Sequence, residues 1–136
     1  MPNRASASLH ATIPSWIVGF AVLASLLLAM GAGISMFAPQ RLAPPGVEIN
    51  AAAHVYAGYT FSRDLSLLVV MIFALLKHSR TILSTAMGIF SLMNFFDAAM
   101  DVWEGRYPIV AIAAVLALVA ALAYAKISRT SHELDG

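Results

Sequence analysis

Cysteine is absent from the 136 residues, which removes disulfides, thiolate metal sites and thiol redox chemistry together. Charge is scarce as well. Only 11% of the residues are Asp, Glu, Lys or Arg, and eight basic against seven acidic residues leave a net charge of +1. The basic residues stand singly at segment ends with no run or patch, so no nucleic-acid partner is expected. The four histidines, His10, His54, His78 and His132, have no ligand spacing, and neither a metal nor another cofactor is expected. Glycine-rich phosphate loops, a serine-centred nucleophile elbow and an H-x-x-x-H pair are also missing.

What the chain has in abundance is apolar surface. Hydrophobic residues make up 60% of it, and the mean hydropathy is +0.81. A helix needs about 20 mostly apolar residues to cross a hydrocarbon core of roughly 30 Å, and four stretches approach or meet that length. The expectation is an all-α protein, a four-transmembrane-helix antiparallel bundle, with the lipid bilayer as its first partner. The first stretch is too long for the apolar run of a signal peptide, so it reads as a retained anchor.

Local signals set the boundaries. Residues 1–13 read as a polar tail, and residues 14–126 as the four-helix transmembrane domain. Its helices are expected at about 15–37, 51–76, 80–103 and 108–126, and residues 127–136 read as a second polar tail. Pro14 suits a first helical turn. Pro39 ends helix one, and "PQRLAPPGVEIN", with three prolines and a glycine, is expected to be non-helical. Asn50 reads as the N-cap of helix two, "KHSR" as a tight turn, Gly105 as a C-terminal stop and Pro108 as an early position of helix four.

Basic residues orient the bundle. Arg4, Lys77, Arg80, Lys126 and Arg129 fall on one side against Arg41 and Arg106 on the other, which predicts cytoplasmic termini. The membrane would be an inner or plasma membrane. Phe37, Tyr56, Tyr59, Trp103 and Tyr107 form an aromatic belt on the outer side, near Glu48, Asp101 and Glu104.

Polar residues inside the spans carry the functional signal, because intramembrane charge is costly and faces the bundle interior or a pathway. From the turn between helices two and three, Arg63 lies about 21 Å above Lys77 and Asp97 about 25 Å above Arg80 at 1.5 Å per residue. The two are at similar height, and Asp97 is the expected partner of Arg63. Asn94, Asp97, Asp101 and Glu104 recur at spacings of three, four and three and form one stripe on helix three. Ser84, Gly88 and Ser91 continue it inward. On helix two, Tyr56, Tyr59 and Thr60 share the face of Arg63. Neighbouring residues on a helix point about 100° apart, so Arg63 and Asp64 are not expected to be each other's main partner. Asp64 is then a surplus carboxylate.

The predicted ligand-binding set is Tyr56, Tyr59, Thr60, Arg63, Asp64, Asn94, Asp97 and Asp101. Two functions fit it. One is a binding or scaffold protein for a lipophilic small molecule or a membrane partner. The other is a membrane enzyme acting on a lipophilic substrate, with Arg63, Asp64 and Asp97 as catalytic candidates: one aspartate as acid, one as base, and Arg63 holding developing negative charge. Ala113, Ala117, Ala121 and Ala125 form a small-residue ridge on helix four, for packing within the chain or for a homodimer or membrane partner.

The succession "GYTFSRDLSLL", a short basic turn, "FSLMNFFDAAMDVWEGR" and an alanine-rich last helix resembles a family of small four-helix membrane proteins, domain of unknown function 4267, and DoxX-like proteins in general architecture. Gly58, Arg63, Asp64 and Asp97 are the matching positions, and the resemblance covers about half the chain. It implies a four-helix bundle with a polar site between helices two and three. No reaction comes with it.

Overall fold

A computed structural model describes residues 13–41, 48 and 50–135, with side chains as far as Arg129. Four helices account for nearly all of it: α1 Ser15–Phe37, α2 Ala51–Leu76, α3 Arg80–Trp103 and α4 Tyr107–Asp135. All four are long and apolar enough to cross a membrane. The predicted tail 1–13, apart from Ile13, lies outside the described residues, and so does His10.

The helix ends follow their sequence signals. Asn50 accepts a hydrogen bond at Oδ1 from the Ala53 N–H at 3.0 Å, and Ser79 caps α3 by accepting from Ile82 N at 3.4 Å. Gly105 has φ +73, a left-handed conformation that glycine adopts without a Cβ clash, and it turns the chain from α3 into α4. Pro14 stands just outside α1, where its carbonyl accepts from Ile17 and Val18.

Three expectations need correction. α4 does not stop near residue 126 but runs to Asp135, so nearly all of the predicted tail 127–136 continues the helix. With no proline or glycine between 109 and 135, nothing in the chain breaks the backbone hydrogen bonding. Among the described residues after α1, Pro39–Arg41 form a 3₁₀ turn, because proline's fixed φ suits a first helical position. On α4 the buried face is Ala113, Ala117, Ala120, Ala123 and Ile127, while Ala121 and Ala125 are only half-buried. A strict four-residue repeat drifts about 40° per step around a helix of 3.6 residues per turn, so mixed steps of three and four hold the interface.

Contacts between numbered residues fix the topology. Along α3 and α4, Ser84 meets Ser128, Gly88 lies under the Tyr124 ring and Ser91 donates to the Ala117 carbonyl at 2.8 Å. Rising numbers on one helix match falling numbers on the other, so the pair is antiparallel. α3 packs most extensively on α4 and α1 on α2, while α2 and α3 touch over a shorter seam. The bundle is two hairpins joined along one edge.

Its core mixes alanines on all four helices, among them Ala21, Ala24, Ala74, Ala86, Ala120 and Ala123, with larger side chains such as Ile17, Leu67, Met71, Leu83, Met87 and Phe90. Many other large apolar side chains, such as Leu26, Phe95, Phe96 and Leu122, point outward. On a water-soluble protein such a surface would be a liability, whereas lipid tails solvate it. Association of these helices therefore rests on close packing and interhelical hydrogen bonds rather than on the exclusion of water.

Candidate functional site

Two hairpins that touch over a short seam leave space at one end. At the end of the bundle carrying the α1–α2 and α3–α4 connections, a cleft of about 800 Å³ opens between α2, α3 and the start of α4. Met100, Ile109, Ile112 and Leu116 form its apolar wall, faced across α2 by Ala53 and Ala57. Thr60, Arg63, Asn94, Asp97, Asp101 and Glu104 supply the polar side. The volume falls within the usual range for small-molecule sites, and so does the combination of an apolar wall with a few converging polar groups.

Arg63 heads the cleft. Its two terminal nitrogens donate to the two oxygens of Asp97, at 3.1 and 3.4 Å, in the fork geometry that favours arginine over lysine. The same guanidinium donates from Nε to Asp64 Oδ1 at 3.1 Å. Asp97, with two bonds, is the main partner of Arg63 as expected; what needs correction is the expectation for Asp64, which does have a cation in Arg63. Their Cα–Cβ directions do diverge, with Arg63 on the α3 flank of the buried face and Asp64 on the α1 flank. The long arginine stem lets its head group return to its neighbour. Asp64 is therefore no surplus carboxylate.

Asp64 also meets α1. A Cβ on Gly31 would lie 2.8 Å from Asp64 Oδ2, closer than any side-chain carbon sits to an oxygen, so α1 can carry only glycine there while the carboxylate keeps its place. Arg63 binds α2 to α3 through Asp97, and through Asp64 it is braced against α1. One cation organises three helices.

Arg106 builds a second cluster at the same end. Gly105 turns the chain so that Arg106 Nη2 reaches Asp101 at 2.5 Å and Glu104 at 2.7 Å, while the Arg106 N–H donates to the Asp101 carbonyl at 2.8 Å. Asp101 is 5% exposed and so needs this partner.

Of the predicted set, Tyr56, Thr60, Arg63, Asn94, Asp97 and Asp101 line the cleft. Tyr59 and Asp64 do not. Tyr59 lies about 100° from Thr60 around α2, on the flank away from the cleft, and is 71% exposed. Asp64 is buried toward Gly31. Asn94 donates to the Phe90 carbonyl at 2.8 Å, which fixes its side chain along α3. The sequence places Arg106 among the outer basic residues, and the predicted set leaves it out. The available signal was a basic residue directly after a glycine stop, with acids two and five positions earlier. Among the described residues, no three His, Asp or Glu side chains are placed to hold a metal ion.

A second groove of about 590 Å³ lies on the outer side of α3 and α4, walled by Phe95, Val102, Val110 and Leu118. Its one hydroxyl, that of Ser91, already donates to Ala117. It offers no polar group to orient a bound molecule, and it is continuous with the lipid-facing surface.

Comparison with known proteins returns no matching family model, no matching curated protein and no matching solved structure.

Proposed function

We propose that this small multi-pass membrane protein binds a lipophilic small molecule in the cleft between α2 and the α3–α4 hairpin. The observation that carries the reading is the cleft itself, with an apolar wall of Met100, Ile112 and Leu116 opposite a polar head at Arg63 and Asp97. An amphiphile has a counterpart for each kind of lining. The bundle sits with both termini in the cytoplasm and the cleft in the outer half of the membrane, in keeping with the bias of Lys and Arg toward the other end. The resemblance to the four-helix family agrees with a polar site between helices two and three.

The acid/base reading draws less support. It needs two aspartates facing one substrate, and Asp64 is turned toward α1 while Asp97 lines the cleft. A positioning role for Asp64 accounts for its contacts without chemistry.

The test is photolabelling of the protein in lipid nanodiscs with a neutral long-chain alcohol carrying a diazirine. Saturable labelling should map to peptides containing Met100, Ile112 and Leu116 and fall in a Leu116→Trp variant that fills the wall. Labelling spread evenly over the lipid-facing residues, with no saturation, would remove the proposal.

A further inference from the structure

The charges at the head of the cleft give it a sign. Arg63 lies between Asp64 and Asp97, and Arg106 between Asp101 and Glu104, so each cation faces two carboxylates. Of the groups that line the cleft, Arg63 and Arg106 stand against Asp97, Asp101 and Glu104. Two cations and three carboxylates give the lining one more acidic group than basic.

One donor and two acceptors of these clusters are similarly exposed, Arg63 at 43% beside Asp97 and Glu104. The Asp97 and Glu104 side chains are 44% and 40% exposed, and each keeps oxygen lone pairs beyond those used by its arginine. An anionic head group reaching an N–H that Arg63 does not spend on Asp64 or Asp97 would meet Asp97 and Glu104 at short range. A cation meets free acceptors. Tyr56, whose ring also lines the cleft, offers a face for cation–π contact.

We infer that the cleft selects lipophilic cations over lipophilic anions of the same size. The inference rests on the cleft being a binding site, and it adds the charge class of the ligand. Apolar bulk would lie against Ile112 and Leu116, and the positive centre near Asp97, Glu104 and Tyr56.

The test uses the full chain in nanodiscs of zwitterionic lipid, with the diazirine alcohol as the labelled ligand and two competitors of matched shape. Tetraphenylphosphonium should displace the label at a concentration about tenfold below tetraphenylborate, after each is corrected for partition into protein-free nanodiscs. Glu104→Gln should bring the two closer to parity, with helicity by circular dichroism unchanged. If saturable labelling is present and tetraphenylborate competes as well or better, the charge preference is wrong and the cleft stands. The same holds if neither ion competes. If labelling never saturates, the cleft and the preference fail together.

Discussion

Arg63 and Arg106 are each held between two carboxylates, yet the first reaches an aspartate 34 residues away on another helix, while the second closes a single turn around Gly105. The difference teaches what an ion pair within the helices does in a bundle with little hydrophobic drive. A local cluster stabilises a turn, whereas a long-range one sets which helices meet and at what height. Arg63 crosses the short α2–α3 seam, where the backbone contact is less extensive than within either hairpin, and Asp64 carries its hold on to α1 at Gly31.

The largest effect is expected from Arg63→Leu. Removing one partner of a buried ion pair costs about 3 to 5 kcal/mol, and the 43% exposure of Arg63 reduces this to roughly 2 to 3 kcal/mol. Reversible unfolding in bicelles should register that loss. Adding Asp64→Asn should restore part of it, because the carboxylate left unpaired is then gone. A loss below a few tenths of a kcal/mol would make the long-range cluster as dispensable as a surface pair.

Next in size is Gly31→Ala, expected to cost about 1 to 3 kcal/mol as the added methyl forces Asp64 off its position. A double-mutant cycle with Asp64→Ala should show strong coupling, since the clash needs both side chains. Independent, additive effects would mean that α1 does not press on the carboxylate. Gly105→Ala, at the local cluster, should cost about 1 kcal/mol through its positive φ. Hydrogen exchange should show the change at the start of α4, with α2 unaffected. Smallest is Ser91→Ala, near 0.6 kcal/mol for an interhelical hydrogen bond.

Much of this architecture is legible in the sequence. Asn50, Gly105 and the apolar runs mark the ends of the helices by local chemistry, and local chemistry is what a sequence displays. The Arg63–Asp97 pair is also readable, since a three-residue turn between α2 and α3 ties their heights together. The approach of Gly31 to Asp64 is not readable, because α1 reaches α2 through a long connection that leaves its register free. Nor is the return of the Arg63 head group to Asp64, which depends on side-chain length rather than helical angle. The cleft itself arises from how far two hairpins splay, a property of packing between distant segments. Arg106 entered it through a glycine turn whose direction the residue types do not specify.

The absence of cysteine makes the chain a clean background for single-cysteine labelling. A cysteine at His78 should react with an impermeant maleimide only from the cytoplasmic side, and one at Glu104 only from the other. Reaction from the reverse sides would invert the proposed orientation without touching the cleft.

The central claim is that the space between α2 and the α3–α4 hairpin is a ligand site headed by Arg63 and Asp97. An experimental structure of the protein in lipid nanodiscs tests it most directly. Expected is discrete density beside Met100, Ile112 and Leu116, ending near Asp97 and Glu104, with Arg63 bridging Asp64 and Asp97. A cleft closed by α2 packing directly on Ile112 and Leu116, with only the ion pair at its head, would contradict it.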